Sequence, residues 1–246
     1  VSIASREGNI VPNAITDIQR NNTAQAILDA EPDILAVQEV ENLQTLRIFN
    51  DSYLDNYFDR MILIDGNDPR GIDVGLLVKK GFKGEIVNIR THVDEAVQKG
   101  ESVVHGTQRN FGYLAKKALF SRDCLEIDIA AGKKILTLLV NHFKAQDGKE
   151  ASVERRTKQA DRVAQLAKSA TKDGKVPIVL GDLNVDPKTD NSLKSLLTSQ
   201  VLQDPFPADT WTHYYASGRK ESRLDYILPH KDIEVVSTDI VRKGLT

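Results

Sequence analysis

The chain has 246 residues, 40% of them hydrophobic, with 33 Lys and Arg against 35 Asp and Glu and a formal net charge of −2. That length admits one large α/β domain or two small ones, and the near-zero charge excludes a global field drawing the protein to nucleic acid or anionic membranes. Any polyanion site must be a local basic patch or depend on bound metal. The single cysteine, Cys124, excludes an internal disulfide, and no apolar run is long enough to span a bilayer.

In chain order, residues 1–4 read as the tail of a strand and residues 8–13, rich in Gly, Asn and Pro, as a loop. Ile15, Ile18, Ala26, Ile27 and Ala30 share a helical face, and that helix should end before Pro32. DILAVQEVEN follows: residues 34–37 form a buried-strand run, with Gln38, Glu39, Glu41 and Asn42 crowding its end. Leu43, Leu46, Phe49 and Tyr53 predict a second helix. After the turn-rich DGNDPRG, IDVGLLVK predicts a strand with Asp73, Gly75 and Leu77 on one face and Val74, Leu76 and Val78 on the other. Residues 81–113 mix strand-like VNIRTHV with polar residues and glycines and read as a surface excursion. LEIDI and KKILTLLVNHF, separated by AAG, predict a hairpin whose second strand ends in Asn141, His142 and Lys144. Val153, Ala160, Val163, Ala164 and Ala167 mark an amphipathic helix with Arg155, Arg156, Lys158 and Arg162 mostly on its other faces.

VPIVLGDLNVDP comes next. Residues 176–180 form a β-branched run without alternation, as in a strand covered on both faces, and Gly181 should stop it. Asp182 and Asn184 follow at i and i+2, a spacing that sends both side chains to one side of an extended backbone, at the end of a strand where open α/β sheets place ligands. Leu193, Leu196 and Leu197 suggest a short helix. WTHYY and RLDYIL read as a loop entering a strand, and IEVVSTDIV follows it. No repeat, linker or composition break divides the chain, so residues 1–246 are expected to form a single domain. The expected class is α/β (α+β), a four-layered sandwich in which two packed mixed β-sheets carry helices on their outer faces.

Four strand ends thus carry polar residues that a hydrolase could use: Glu39, His142, Asp182 with Asn184, and Asp225. Each has a structural alternative. Glu39 could start a helix, His142 could be a hydrogen-bonded core histidine, GDLN could be a polar turn, and Asp225 could pair with Arg223. Four such coincidences at the ends of apolar strands are less expected than one.

VQEVEN, RGIDVGLLVK, LFSRDCLEIDI, VNHFKAQ, VPIVLGDLNVDP and SRLDYILP, in this order and spacing, resemble the endonuclease/exonuclease/phosphatase superfamily. This is the fold of pancreatic-type deoxyribonuclease, the apurinic-site endonucleases, neutral sphingomyelinases and inositol polyphosphate 5-phosphatases. The resemblance covers about residues 24–246, with 90–113 unmatched. It implies that Glu39 binds a divalent cation, Mg²⁺ or Mn²⁺, as a hard oxygen ligand. It implies that Asp182 orients or deprotonates the attacking water and that Asn184 holds a phosphate oxygen or that water. His142 would bond the phosphate or the leaving oxygen, Asp73 would orient His142, and Asp225 would orient a second histidine nearer the C-terminus. Cys124 is read as core, since this chemistry needs no thiol.

Two departures stand out: VSIAS lacks the asparagine the family has at the end of its first strand, and no Ser-Asp-His occurs anywhere. The expectation drawn from them is a sequence trimmed at both ends, with an inactive relative as the alternative. NHFK and VQEVEN resemble the bacterial nucleases of the superfamily, so the expected activity is metal-dependent hydrolysis of a nucleic-acid phosphodiester. The alternatives are a phosphatase or phosphodiesterase acting on a small or lipid phosphoester, and a non-catalytic binding relative. Arg155, Arg156, Lys158 and Arg162 are a candidate basic patch or a solvated helix face. Trp211, His213, Tyr214 and Tyr215 are candidates for stacking on a substrate or for packing the loop. A monomer is expected, and compartment cannot be read from these residues.

Overall fold

Three large apolar clusters among the described residues separate four layers. The computed structural model describes residues 15–98, 103 and 117–242; the expected N-terminal strand and loop lie outside them. The elements run α1 (Asp17–Ala30), β1 (Ile34–Val40), α2 (Leu43–Tyr53), β2 (Phe58–Leu63), β3 (Asp73–Lys79), β4 (Glu85–Arg90), β5 (Cys124–Ala131), β6 (Lys134–His142), α3 (Glu150–Lys172), β7 (Val176–Asp182), α4 (Lys194–Leu197), β8 (His213–Tyr215), β9 (Lys220–Ser222) and β10 (Asp225–Pro229). Helix α1 begins at a capping box, with Thr16 and Gln19 each satisfying the other's backbone N–H. It ends on Glu31 in the left-handed conformation, immediately before Pro32.

The smaller sheet has strand order β1-β3-β2 and is antiparallel throughout. The larger, β10-β7-β6-β5-β4, is mixed: only β6 and β7 run parallel, and β5 and β6 form the expected hairpin. The two sheets stack face to face. Val74, Leu76 and Val78 of β3 meet Leu125, Ile127 and Ile129 of β5 and Leu138 and Val140 of β6 in the central core. On the far side of the small sheet, Leu77 packs with Ala24 of α1 and Leu46 of α2. Behind the large sheet, Cys124, Leu139 and Val179 pack against Ala160, Val163 and Ala167 of α3. The split of β3 into a central-core face and a helix-side face follows the period of two read from its sequence.

Residues 81–98 are more ordered than a surface excursion. Strand β4 pairs with β5 as the edge of the large sheet, through Asn88 to Asp128 (3.1 Å) and Arg90 to Glu126 (2.8 Å). Its pattern is inverted, with Val87 and Ile89 exposed and the polar residues turned to the neighbouring strand, so hydrophobic periodicity does not reveal it. Gly181 does not stop β7, which runs on to Asp182. A Cβ there would lie 2.0 Å from the Asn141 carbonyl oxygen, and φ is +130°. Glycine at this position lets β6 and β7 stay paired up to the residues that matter.

Candidate active site

Because β6 and β7 are parallel, their C-terminal ends coincide, and His142 sits in register with Asp182. Strand β10 runs the other way and begins at that same edge, so Asp225 is also in register with Asp182. All three side chains lie on the face of the large sheet that meets the small one. Val140 and Leu180, two residues before His142 and Asp182, belong to the central core, while Tyr226, next to Asp225, belongs to the outer one. Across the crevice, β1 carries a bulge between Val37 and Val40, and Glu39 within it has a left-handed φ of 58°. A bulge breaks alternation and re-aims a side chain; the Glu39 charge acts on both Asp182 and Arg70.

Asp182 is held in a definite geometry. Its Oδ1 accepts the backbone N–H of Asn184 at 2.8 Å, and its Oδ2 lies 3.7 Å from His142 Nε2, beyond hydrogen-bond reach. Loss of solvation and the neighbouring Asp225 charge push the Asp182 carboxyl up to about 7, with a further push from Glu39, despite the Asn184 N–H and the charge of Arg122. Asp225 is raised as well, by desolvation, against the hydrogen bond from Thr212. His142 is buried, and desolvation together with Arg122 and Arg70 lowers it to about 3, so its imidazole is neutral at physiological pH.

Asn184 has a left-handed φ of 53°, and its Nδ2 donates to the Phe143 carbonyl at 3.1 Å. Gln146 Nε2 donates to the Asn184 carbonyl at 3.0 Å, so the loop after β6 steadies the residue that follows β7. Asp73 does not make the expected hydrogen bond to His142. Its Oδ1 accepts the Gly66 N–H at 2.8 Å, and His142 Nδ1 is buried with no hydrogen-bond partner among the described residues. The reason is local: the β2–β3 loop folds Gly66 back onto the start of β3, with Ser121 and Arg122 packed behind it.

Two cationic residues at the site carry no role in the sequence reading. Arg122, 4% exposed, donates to Asp68 Oδ2 (3.4 Å), Ser121 Oγ (3.2 Å) and the Phe143 carbonyl. Arg70 makes bonds of 3.0–3.1 Å to both Asp68 oxygens. Burial acts to raise Asp68, and its bonds from Arg70 outweigh that and keep it ionised. Both arginines stand in the family-like stretches RGID and LFSRD, and an arginine two residues ahead of a core strand is the sequence signal for Arg122. The site therefore has an anionic side, Glu39, Asp182 and Asp225, and a cationic side, Arg70 and Arg122, with neutral His142 between. Such an arrangement suits a tetrahedral anion on one side and a cation on the other.

The arginines of α3 are engaged elsewhere. Arg156 bonds Asp190 at 2.7 Å and the carbonyls of Lys144 and Ala145, and Arg162 clasps Glu95. Lys158 pairs with Glu154, and Arg155 bonds the carbonyls of Ala118 and Leu119. Arg155, Arg156 and Arg162 thus fasten loops to the helix, and Lys158 is paired within it.

The fold is shared with solved structures of low sequence identity. Human nocturnin's catalytic domain, crystallised with a bound sulfate anion, is 18% identical, with a TM-score of 0.63 over 94% of this chain and 81% of that one. Truncated Caenorhabditis elegans TDP2 is 14% identical, with a TM-score of 0.59 over 86% and 76%. A Bacteroides thetaiotaomicron mannosyl-6-phosphatase is 16% identical, with a TM-score of 0.56 over 87% and 77%. No curated protein sequence matches the chain significantly. Residues 12–245 match the model of the Endonuclease/Exonuclease/phosphatase family, and the chain belongs to that family of phosphoester hydrolases.

Proposed function

We propose that this protein is a divalent-cation-dependent phosphodiesterase acting on nucleic acid, in which Asp182 prepares a water for in-line attack on phosphorus. The observation that carries this reading is the state of Asp182. One oxygen is anchored by the Asn184 N–H, the other lies 3.7 Å from His142 Nε2, and desolvation pushes the carboxyl up to about 7. A general base works best when its pKa lies near the operating pH and it is fixed in direction. Arg122 and Arg70 line the opposite side, where charge accumulates on the non-bridging oxygens as the bond to phosphorus forms. Neutral His142 offers a ring nitrogen to the phosphate or the leaving oxygen. Asn184, fixed through its own amide and carbonyl, keeps the Asp182 loop from shifting during the reaction.

The residues fit a metal of the Mg²⁺ or Mn²⁺ kind. Among the described residues no three His, Cys, Asp or Glu side chains converge to form a closed metal cage. Mg²⁺ needs none, since it is usually held by one or two carboxylates and keeps several waters. Glu39 would be the ligand, beside Asp182 and Asp225, whose carboxyls are raised chiefly by desolvation. When bound, the cation supplies charge neutralisation at the phosphate oxygens.

Hydrolysis of plasmid DNA, RNA and bis(p-nitrophenyl) phosphate, each with Mg²⁺ or EDTA, beside the Asp182→Ala variant, tests the proposal. Cleavage of nucleic acid that needs metal and vanishes in the variant is expected. Cleavage of the small ester alone would move the function to a small or lipid phosphoester. No cleavage of any substrate would favour a non-catalytic relative.

A further inference from the structure

The β8–β9 hairpin stands beside the crevice and is tied to it through Thr212. The Thr212 hydroxyl accepts the N–H groups of Leu224 (3.0 Å) and Asp225 (3.1 Å), and its own N–H donates to Ser222 at 3.0 Å. The hairpin is thus anchored to the first residue of β10, and the charge of His213 reaches Asp225. In its ladder His213 opposes Ser222, Tyr214 opposes Glu221, and Tyr215 opposes Lys220. Strand alternation therefore sorts the residues by face. One face carries His213, Tyr215 and Lys220, an imidazole, a phenol and an ammonium group. The other carries Tyr214 and Glu221.

Tyr215 is 56% exposed, yet its ring is positioned. A Cβ on Gly218 would come within 2.7 Å of it, so the ring lies over the glycine and turns its other side outward. Neither Tyr215 nor Lys220 has a partner in the central or outer cores. An outward aromatic face beside a cation, leading away from a phosphodiester-cleaving centre, matches what an unpaired nucleotide offers: a π-face and a phosphate. A duplex keeps its bases stacked and hides those faces. The carboxylate of Glu221 disfavours a polyanion on the opposite side.

Resting on the function proposed above, we infer that the His213–Tyr215–Lys220 face is a track for single-stranded nucleic acid, with a base stacking on Tyr215 and the adjoining phosphate meeting Lys220. The site then selects unpaired over paired strands.

The test uses the full chain in EDTA, with fluorescein-labelled single-stranded oligothymidylate and a labelled duplex followed by anisotropy. Tyr215→Ala combined with Lys220→Ala should weaken single-strand binding by about tenfold or more and duplex binding by less than about twofold. Tyr214→Ala and Tyr215→Phe should bind as wild type does, and turnover of bis(p-nitrophenyl) phosphate by the double variant should be unchanged, which verifies its fold. If wild type cleaves nucleic acid and the double variant binds single strands equally well, this inference is overturned and the function stands. If single strands bind through Tyr215 but are never cleaved, the track stands and the nuclease reading fails. If wild type binds no single strand, the track is overturned.

Discussion

Asp182 and Asp225 are register partners across the antiparallel β7–β10 ladder, and the charge of Asp225 helps hold Asp182 at about 7. Two carboxylates set side by side on neighbouring strands repel unless a proton or a cation lies between them.

Desolvation of Asp182, reinforced by that repulsion, has a measurable consequence for stability. Asp182 has a raised folded-state value against an ordinary 3.8, so between those limits the folded protein holds its proton more tightly than the unfolded chain. In EDTA, stability should be highest below pH 4 as far as this group is concerned and should fall as pH rises through 7. Asp182→Asn should remove the fall and leave the variant about 2 kcal/mol more stable than wild type at pH 8. Urea midpoints measured from pH 4 to pH 8 read this directly, and parallel curves for the two proteins would refute it.

Glu39 should govern cation affinity rather than folding. It is exposed at the end of β1, so Glu39→Gln should leave the unfolding midpoint within about 0.5 kcal/mol of wild type. The Mg²⁺ concentration giving half-maximal hydrolysis should rise by about tenfold or more. A Mg²⁺ titration of bis(p-nitrophenyl) phosphate turnover decides it, and an unshifted midpoint counts against Glu39 as ligand.

Arg122 and Asn184 donate to one carbonyl, that of Phe143. Arg122→Ala leaves that carbonyl with one donor fewer and Asp68 with one counter-ion fewer, in a buried setting. The expected cost is about 3 kcal/mol in stability together with loss of turnover. Arg122→Lys should restore little of either, because an ammonium group cannot reach Asp68, Ser121 and the carbonyl as a planar fork does. Recovery of wild-type turnover by the lysine variant would show that only the charge matters.

His92, just after β4, joins strand β5 to helix α3. Its Nδ1 is 2.8 Å from Glu95 and its Nε2 is 3.0 Å from Glu126, and Glu95 also binds Arg162. Burial would lower His92, but the hydrogen bonds to Glu126 and Glu95 outweigh it and raise the imidazole to about 9. The stabilisation is complete below about pH 6.5 and is lost as pH rises through 9. Burial likewise works to raise Glu95, and its bonds from His92 and Arg162 bring it down to about 2, so its share is present above 4.5 and lost as pH falls through 2. Replacing His92 by Gln should flatten the stability profile between pH 6.5 and 9, as followed by thermal unfolding. A slope identical to wild type would place the pH dependence elsewhere.

Gly181→Ala should be the most damaging single methyl addition at the site. The added carbon would meet the Asn141 carbonyl, and relief would require separating β6 from β7 where His142 and Asp182 align. A loss of about 3 kcal/mol or more is expected, with turnover falling in step. Retention of both stability and activity would mean that the strand ends adjust freely.

The sequence by itself determined the strands whose side chains are uniformly apolar and the polar residues that end them. Burial on both faces of β3, β6 and β7 demands such runs, and a run must stop where the sheet meets solvent. The candidates Glu39, His142, Asp182, Asn184 and Asp225 could be marked for that reason, as could the stacking of two sheets under helices. The sequence did not reveal β4, whose apolar residues face outward while Asn88 and Arg90 bond across to β5. Nor did it assign Arg70 and Arg122 a role, because a buried arginine is recognisable only by the carboxylate and carbonyls that surround it. Registration was decided by the tertiary structure alone. Pairing β10 antiparallel to β7 puts Asp225 beside Asp182, and the bulge in β1 interrupts alternation at Glu39. Pairing register depends on contacts between strands far apart in the chain, and it is register that turns separate strand ends into one site.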